Sequence, residues 1–474
     1  MSNPSPRQVA RLEAQPSLSH ELLTLLPGDF RLGLSTAAYQ IEGGVSEGGR
    51  GPSIWDTFAH TPGLTRNDDN GDVACDHYHR WESDLDLLAS LEVRHYRLSV
   101  SWSRLQPIGS GELNPEAVAF YRDLLTGMRE RGIRPLVTLY HWDLPQPLED
   151  RGGWPERSTA ERFADYATRT VAALGDLVDD WITLNEPWCS AFLGYHTGAH
   201  APGRRDFDAA VAAAHHLNLA HGLAVAGIRL TAPNARVGIA NIVTELRPMN
   251  DTEADRGAVV RVDAASNRVF LDPVYLGDYS ASVRDTLGSA LARVIRDGDL
   301  AKIAAPTDFA GINHYQRILV SYDPIGGPLA AREQPATPAT TSFGWSVIPD
   351  SLRVVLSRVS REFTDLPVYV TENGASFDDY ADPEGDVVDL DRVEYLRGYL
   401  AALIDAVRDG ADIRGYYAWS FLDNFEWAEG YSKRFGVVHV DYATQRRTPK
   451  LSALWYQRLN AQRNALLELV GQAG

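Results

Sequence analysis

The chain is poor in cysteine, lysine and long apolar runs. Cys75 and Cys189 are the only cysteines in 474 residues. Two are too few for a disulfide framework or a thiolate metal site, and their scarcity points to a reducing compartment. Nowhere do about eighteen apolar residues follow one another, the length that marks a membrane-crossing helix. The opening MSNPSPRQVARLEAQPSL lacks the apolar core of a secretory signal. These absences predict a soluble cytoplasmic protein with no membrane partner, with residues 1–18 as a disordered leader and 19–474 as one catalytic domain. Positive charge is also short: the formal net charge is −18, and only Lys302, Lys433 and Lys450 of the 45 basic residues are lysine. So acidic a chain is not expected to present the basic stripe that phosphate neutralisation needs, so no nucleic-acid partner is expected. The charge reads as solubility.

Aromatic residues are plentiful, with eleven tryptophans and twenty tyrosines. Large core residues account for most of them, and flat aromatic faces also suit the C–H surface of a sugar ring. Eight short segments rich in Val, Ile, Leu, Tyr and Phe recur along the chain, each ending in polar or aromatic residues and followed by a helical-period stretch. They are FRLGLSTAAYQIEG, VRHYRLSVSW, RPLVTLYHWD, LVDDWITLNEP, ARVGIANIVTE, TDFAGINHYQ, PVYVTENGA and IRGYYAWSFLDN. Between them lie amphipathic pieces, one with Trp81, Leu85, Leu88 and Leu91 on a single face, another with Val393, Leu396, Leu400, Leu403 and Val407. Eight alternations with near-continuous apolar strands predict an α/β fold, a single (β/α)8 TIM barrel with elaborated βα loops. An open doubly wound sheet would carry a Gly-rich phosphate turn after its first strand, and GGVSEGGRG at 43–51 lacks the G-x-G-x-x-G spacing. Two long loops, 322–341 and 378–389, follow the sixth and seventh strands and are candidates for the substrate-access wall.

In such a barrel the strand ends converge on one pocket. The polar groups there are Gln40, Arg97, His141, Asn185 with Glu186, Asn241, Asn313 with Tyr315, Glu372, and Trp419 leading to Glu426. Asn313 and Tyr315 are two apart, so strand alternation sends them to one side and His314 to the other. Asn185 and Glu186 are neighbours and cannot share a face of a regular strand, which predicts a bulge or strand exit before Pro187. A helix-start turn is the competing reading of NEP. Glu186 and Glu372 form a pair of carboxylates at strand ends, the minimal equipment for cleaving a glycosidic bond with retention: one acid protonates the leaving oxygen and one carboxylate attacks the sugar carbon. Metal chemistry has weaker support. His77 and His79 are placed in a helix, where i and i+2 face apart, and in RNDDNGD the calcium-loop register puts Arg66 at the first ligand position.

STAAYQIEG, HWDLPQ, TLNEPW, YVTENGA, LDNFEWAEGYSKRFG and VDYATQRRTPK together resemble the signature segments of the family one glycoside hydrolases, the β-glucosidase family, from about Phe30 to about Leu459. The resemblance implies Glu186 as general acid/base and Glu372 as nucleophile. It implies that Gln40, His141, Asn185, Glu426 and Trp427 hold the hydroxyls of the innermost sugar, with Trp419 beneath its ring and Asn313 in the same substrate-binding set. The resemblance further implies that Arg97 and Tyr315 sit beside Glu372 and that Trp345 flanks the leaving group. Leu184 stands where the family commonly has Phe, and His314 where it has Tyr. The family's phosphoglycosidases replace the Glu-Trp pair, whereas Glu426 is retained here, which implies an unphosphorylated sugar.

The implied activity is a retaining exo-β-glucosidase acting on small β-glucosides or short β-linked oligosaccharides, with a place in carbohydrate metabolism and cellulose degradation and with no cofactor and no metal. Alternatives are a β-galactosidase, β-fucosidase or transglycosylase of the same family, an inactive carbohydrate-binding homologue, and a metal-dependent barrel hydrolase. Oligomeric state is not legible in the sequence.

Overall fold

The computed structural model describes residues 6–338 and 340–472. The eight apolar segments are strands Arg31–Ser35, His95–Ser99, Arg134–Tyr140, Asp180–Asn185, Arg236–Ile242, Phe309–Asn313, Val368–Asn373 and Ile413–Trp419, taken here as strands one to eight. They close into a parallel barrel in chain order, the first pairing with both the second and the eighth. Nearly every strand residue is buried, as parallel strands covered on both faces require.

Helices pack the outside by the expected rule. Pro115–Glu130 is an example: Asn114 caps it by accepting from the Glu116 N–H at 3.2 Å, and Pro115 occupies its first turn. Ala117, Phe120, Tyr121, Leu124, Leu125 and Met128 form its buried stripe. The lumen has its own core of Leu136, Ile182, Ala240, Phe309, Tyr369 and Tyr417, separate from the cluster under the helices. Glycines make room for these rings. A Cβ on Gly33 would lie 2.5 Å from Tyr417, and one on Gly238 would lie 2.5 Å from Phe309. The barrel interior is filled, so the cavity that receives the strand-end side chains forms above it, and a separate one of about 430 Å³ lies at the opposite rim beside Arg31, His95 and Arg134.

Two expectations need correction. The leader expected to be disordered over 1–18 forms a helix, Pro6–Glu13, and then docks. Arg458 donates to the carbonyls of Leu12 and Gln15, both at 2.9 Å, and Leu18 is buried. Its apolar residues are too scattered to read as a pattern until helix Leu451–Gln472 supplies their partner. Residues 1–5 of that leader lie outside the described residues. The loop expected over 322–341 contains strand Ala331–Pro335, which pairs antiparallel with Arg317–Tyr322 beside Glu245–Pro248.

The acidic loop 378–389 does a structural job. Asp379 and Asp423 both accept from the fully buried Lys450 ammonium, at 2.6 and 2.7 Å, and Arg434 adds a bond to Asp423 at 2.7 Å. Asp423 also receives the Gly436 N–H, which ties down the segment after strand eight. Removing one partner from a buried charge cluster leaves the others uncompensated. Lys450→Met is therefore expected to cost about 3 kcal/mol of stability, read as a lower urea midpoint by circular dichroism. An unchanged midpoint would refute the anchoring role.

Candidate active site

Two bulges aim the paired carboxylates. The register between strands four and five shifts between Ile182 and Asn185, and Glu186 follows with φ +43°, so the chain leaves the strand there. The register between strands six and seven shifts between Val370 and Glu372. Each irregularity lets two consecutive residues face inward, Asn185 with Glu186 and Thr371 with Glu372, which regular alternation forbids. The break expected before Pro187 is present.

A continuous set of hydrogen bonds joins the strand ends. Glu372 accepts from Arg97 Nη1 through one oxygen and from the Tyr315 hydroxyl, at 2.6 Å, through the other. Arg97 also donates to the Thr371 carbonyl at 3.0 Å and to Asn185 Oδ1 at 2.6 Å. Asn185 Nδ2 pairs with His141 Nε2 at 3.1 Å. Asn313 donates through Nδ2 to Glu186 at 2.7 Å and to Asn185 at 3.0 Å, while its carbonyl accepts from Thr371. The second oxygen of Glu186 accepts from the Cys189 thiol at 3.1 Å. Arg97, Asn185, Asn313 and Thr371 are wholly buried, and together they fix both glutamates from behind.

Above them lies a cavity of about 450 Å³. His141, Glu186, Tyr315, Trp345, Glu372, Trp419, Glu426 and Trp427 line it, whereas Gln40, Arg97, Asn185 and Asn313 stand one layer back. Gln40 Nε2 is committed to the Phe425 carbonyl at 2.9 Å and to Asn424 at 3.1 Å, and its Oε1 has no protein partner. His141 is stacked on Trp419, with centroids 5.7 Å apart, and on Trp427 at 6.1 Å. Its Nδ1 also has no protein partner, and burial together with the Arg97 charge holds its pKa well below the usual value, so the ring is neutral.

Burial first and the Glu372 charge second push Glu186 up to about 8. The same two causes raise Tyr315 well above a free phenol, which keeps it a donor. Glu426 is likewise pushed well above the carboxylate range, by burial and then by Glu372 and Glu186. Its charge is thus a weaker barrier to a 6-phosphate than the sequence implied. The lining holds five glutamates, Glu186, Glu333, Glu372, Glu426 and Glu429, and no lysine or arginine among the described residues that line it could pair with a phosphate.

Several cavity residues escaped sequence reading. Cys189 lies three positions after Glu186, a spacing that brings side chains together on any helical turn, and that was the available signal. Trp142, Trp188, Phe343 and Phe435 also reach the cavity but have no local mark that separates them from core aromatics. Of the two loops expected at the access wall, 322–341 contributes Glu333 and 378–389 contributes nothing to the lining. His314 faces away, bonding the Val243 carbonyl at 2.8 Å and Ser351 at 2.7 Å. His77 pairs with Asp84 at 2.8 Å, and His79 with Asp76 at 2.6 Å and Glu47 at 2.9 Å, so the two point to different partners.

A closed parallel barrel with two buried glutamates at the ends of strands four and seven, opening on one acidic, aromatic cavity, has the architecture of a barrel glycoside hydrolase. The chain belongs to glycosyl hydrolase family 1, whose family model matches residues 23–465. It is 44% identical over 442 residues to a beta-glucosidase of Agrobacterium sp., covering 92% of this chain and 96% of that one. It is 45% identical to a bifunctional beta-D-glucosidase/beta-D-fucosidase of Bifidobacterium breve, covering 93% and 99%. Among solved structures, a psychrophilic beta-glucosidase from Micrococcus antarcticus superimposes with a TM-score of 0.91 at 43% identity, covering 94% of this chain and 100% of that one.

The Glu186 carboxyl is expected to titrate near pH 8 in the free protein, followed by carbon NMR of labelled glutamate. Replacing Glu372 by Gln removes the neighbouring charge and moves that midpoint down. A Glu186 midpoint in the ordinary range, indifferent to Glu372, would refute the coupling.

Proposed function

We propose that the chain, acting through residues 19–474 as one catalytic domain, is a retaining β-glucosidase in which Glu186 is the general acid/base and Glu372 the nucleophile. The observation that carries the assignment is the asymmetry of the pair. Glu372 is gripped by a guanidinium and a phenol, and Glu186 keeps its proton to about pH 8. Glu372 attacks the anomeric carbon, Glu186 protonates the leaving oxygen, and a covalent glycosyl-enzyme forms. Esterification removes the Glu372 charge, so the Glu186 pKa falls and the carboxylate accepts a proton from the incoming water. His141 and Glu426 receive sugar hydroxyls from the cavity, Gln40 and Asn185 support them from behind, Trp427 adds a contact and Trp419 forms the platform under the ring. Arg97 and Tyr315 orient Glu372, Asn313 orients Glu186, and Trp345 flanks the leaving group.

The substrates are unphosphorylated β-D-glucosides and short β-linked oligosaccharides, the latter consistent with a part in cellulose degradation. A broader reading, with β-fucosides also cleaved, is favoured by the relative named as bifunctional for glucosides and fucosides. A cytoplasmic location is supported by two unpaired, buried cysteines. No helix among the described residues is long and apolar enough to cross a membrane.

For a glucoside with a poor leaving group, kcat/KM is expected to fall tenfold per pH unit above about 8 as Glu186 loses its proton. Glu186→Ala should slow poor leaving groups by roughly 10²–10⁴ and activated aryl glucosides far less; equal losses on both would remove Glu186 from the acid role. Glu372→Ala should abolish turnover, and added azide should restore it with an α-glycosyl azide as product. A β-azide contradicts the nucleophile assignment.

A further inference from the structure

We propose that the cavity of about 430 Å³ at the opposite rim of the barrel binds a small phosphate-bearing anion, either free phosphate or a phosphate monoester. Its charge is the reverse of that in the cavity above the strand ends. Four arginines line it, Arg31, Arg94, Arg134 and Arg463, against two carboxylates, Asp29 and Glu92. In a chain of net charge −18 this excess of cation is local, and the fold makes it. Arg31 and Arg134 are the first residues of strands one and three, Arg94 precedes strand two, and Arg463 comes from the helix Leu451–Gln472.

Two of the arginines are committed to the protein. Arg31 Nη1 donates to Asp180 at 2.7 Å, and Arg463 donates to the carbonyls of Leu23 at 3.3 Å, of Leu26 at 3.4 Å and of Pro27. Arg94 and Arg134 are exposed, and among the described residues neither side chain has a hydrogen bond or an ion pair. The Arg134 N–H donates to the Arg94 carbonyl at 2.8 Å, so their backbones adjoin and two like charges are held on one rim. Of the acids, Asp29 accepts from Arg414 at 2.9 Å, which leaves Glu92 to offset them. His95 lies opposite Arg134 in the sheet register. Burial first, then Arg31, Arg134 and Arg94, hold its pKa down at about 3, and every charge that shifts it belongs to an arginine.

The unmet polar atoms of this wall point to the same chemistry. Asn460 Nδ2, Asn464 Nδ2 and Arg463 Nε are buried donors without a protein acceptor, an arrangement that costs free energy until an acceptor is supplied. A phosphate dianion supplies acceptor oxygens and two negative charges, and the planar fork of a guanidinium meets two of those oxygens at once. The volume is that of a small-ligand cavity, with room for a phosphate monoester as well as for the free ion.

Calorimetric titration with inorganic phosphate, at an ionic strength fixed by sodium chloride, is expected to show one saturable site with a dissociation constant of about 1 mM or tighter. The His95 ring protons should shift in the NMR spectrum as it fills. Arg134→Met and Arg94→Met, each with folding checked by its thermal midpoint, should each weaken binding about tenfold, whereas Glu92→Gln should tighten it. Glucose 6-phosphate as a second titrant separates the two sources: tighter binding than inorganic phosphate assigns the cavity to a monoester, and equal or weaker binding assigns it to the free ion. Heats that do not saturate, an affinity unchanged in either folded arginine variant, or one lowered by Glu92→Gln would overturn the proposal.

Discussion

Two buried carboxyl groups share one cavity, and the rest of the site follows from that constraint. Burial disfavours a carboxylate, and a second negative charge nearby disfavours it further. The conflict is resolved unequally: Glu372 has Arg97 and Tyr315 as donors, whereas Glu186 has the amide of Asn313 and the thiol of Cys189. Only one side receives a full positive charge. The proton therefore stays on Glu186. In the mechanism proposed above, the repulsion that places it there disappears when Glu372 becomes an ester, so bond formation at one carboxylate resets the proton affinity of the other.

Holding that device needs rigidity below and freedom above. Below, lumen residues such as Phe309, Tyr369 and Tyr417 fill the barrel. The wholly buried Arg97 is fixed by Thr138, Thr371 and Asn185 before it meets Glu372. Above, insertions on different strands give the mouth its two characters. The segment after strand eight is anchored by the Lys450, Asp379 and Asp423 cluster and delivers Glu426 and Trp427, while the insertions after strands five and six pack around a small core of their own.

How much of this could be read in advance differs by residue type. Glu186 and Glu372 stand at the ends of apolar runs, and strand-end position in a barrel is itself a placement. Asn313 and Tyr315 follow from simple alternation. Cys189 carried a weak signal, its three-residue spacing from Glu186, and its scarcity drew attention to compartment instead of site. Helix Pro6–Glu13 and strand Ala331–Pro335 were illegible because each is stabilised by a distant partner: the C-terminal helix in one case, the strand after Asn313 in the other. The acidic loop 378–389 read as a candidate wall and proved to be a clamp on Lys450 and Arg392, since net charge does not say which cations lie within reach.

By itself the sequence determined the barrel and its polar rim, because eight apolar runs with intervening amphipathic helices have one economical parallel closure, and that closure brings every strand end to one face. Tertiary structure alone decided which oxygen meets which donor, that Gln40 stands behind the cavity lining, and that the insertions after strands five and six share a small core of their own. Those features depend on register shifts at Asn185 and Glu372 and on contacts between segments far apart in the chain. Local pattern carries the direction of a side chain, but its charge state and partners are set by neighbours that only the closed fold supplies.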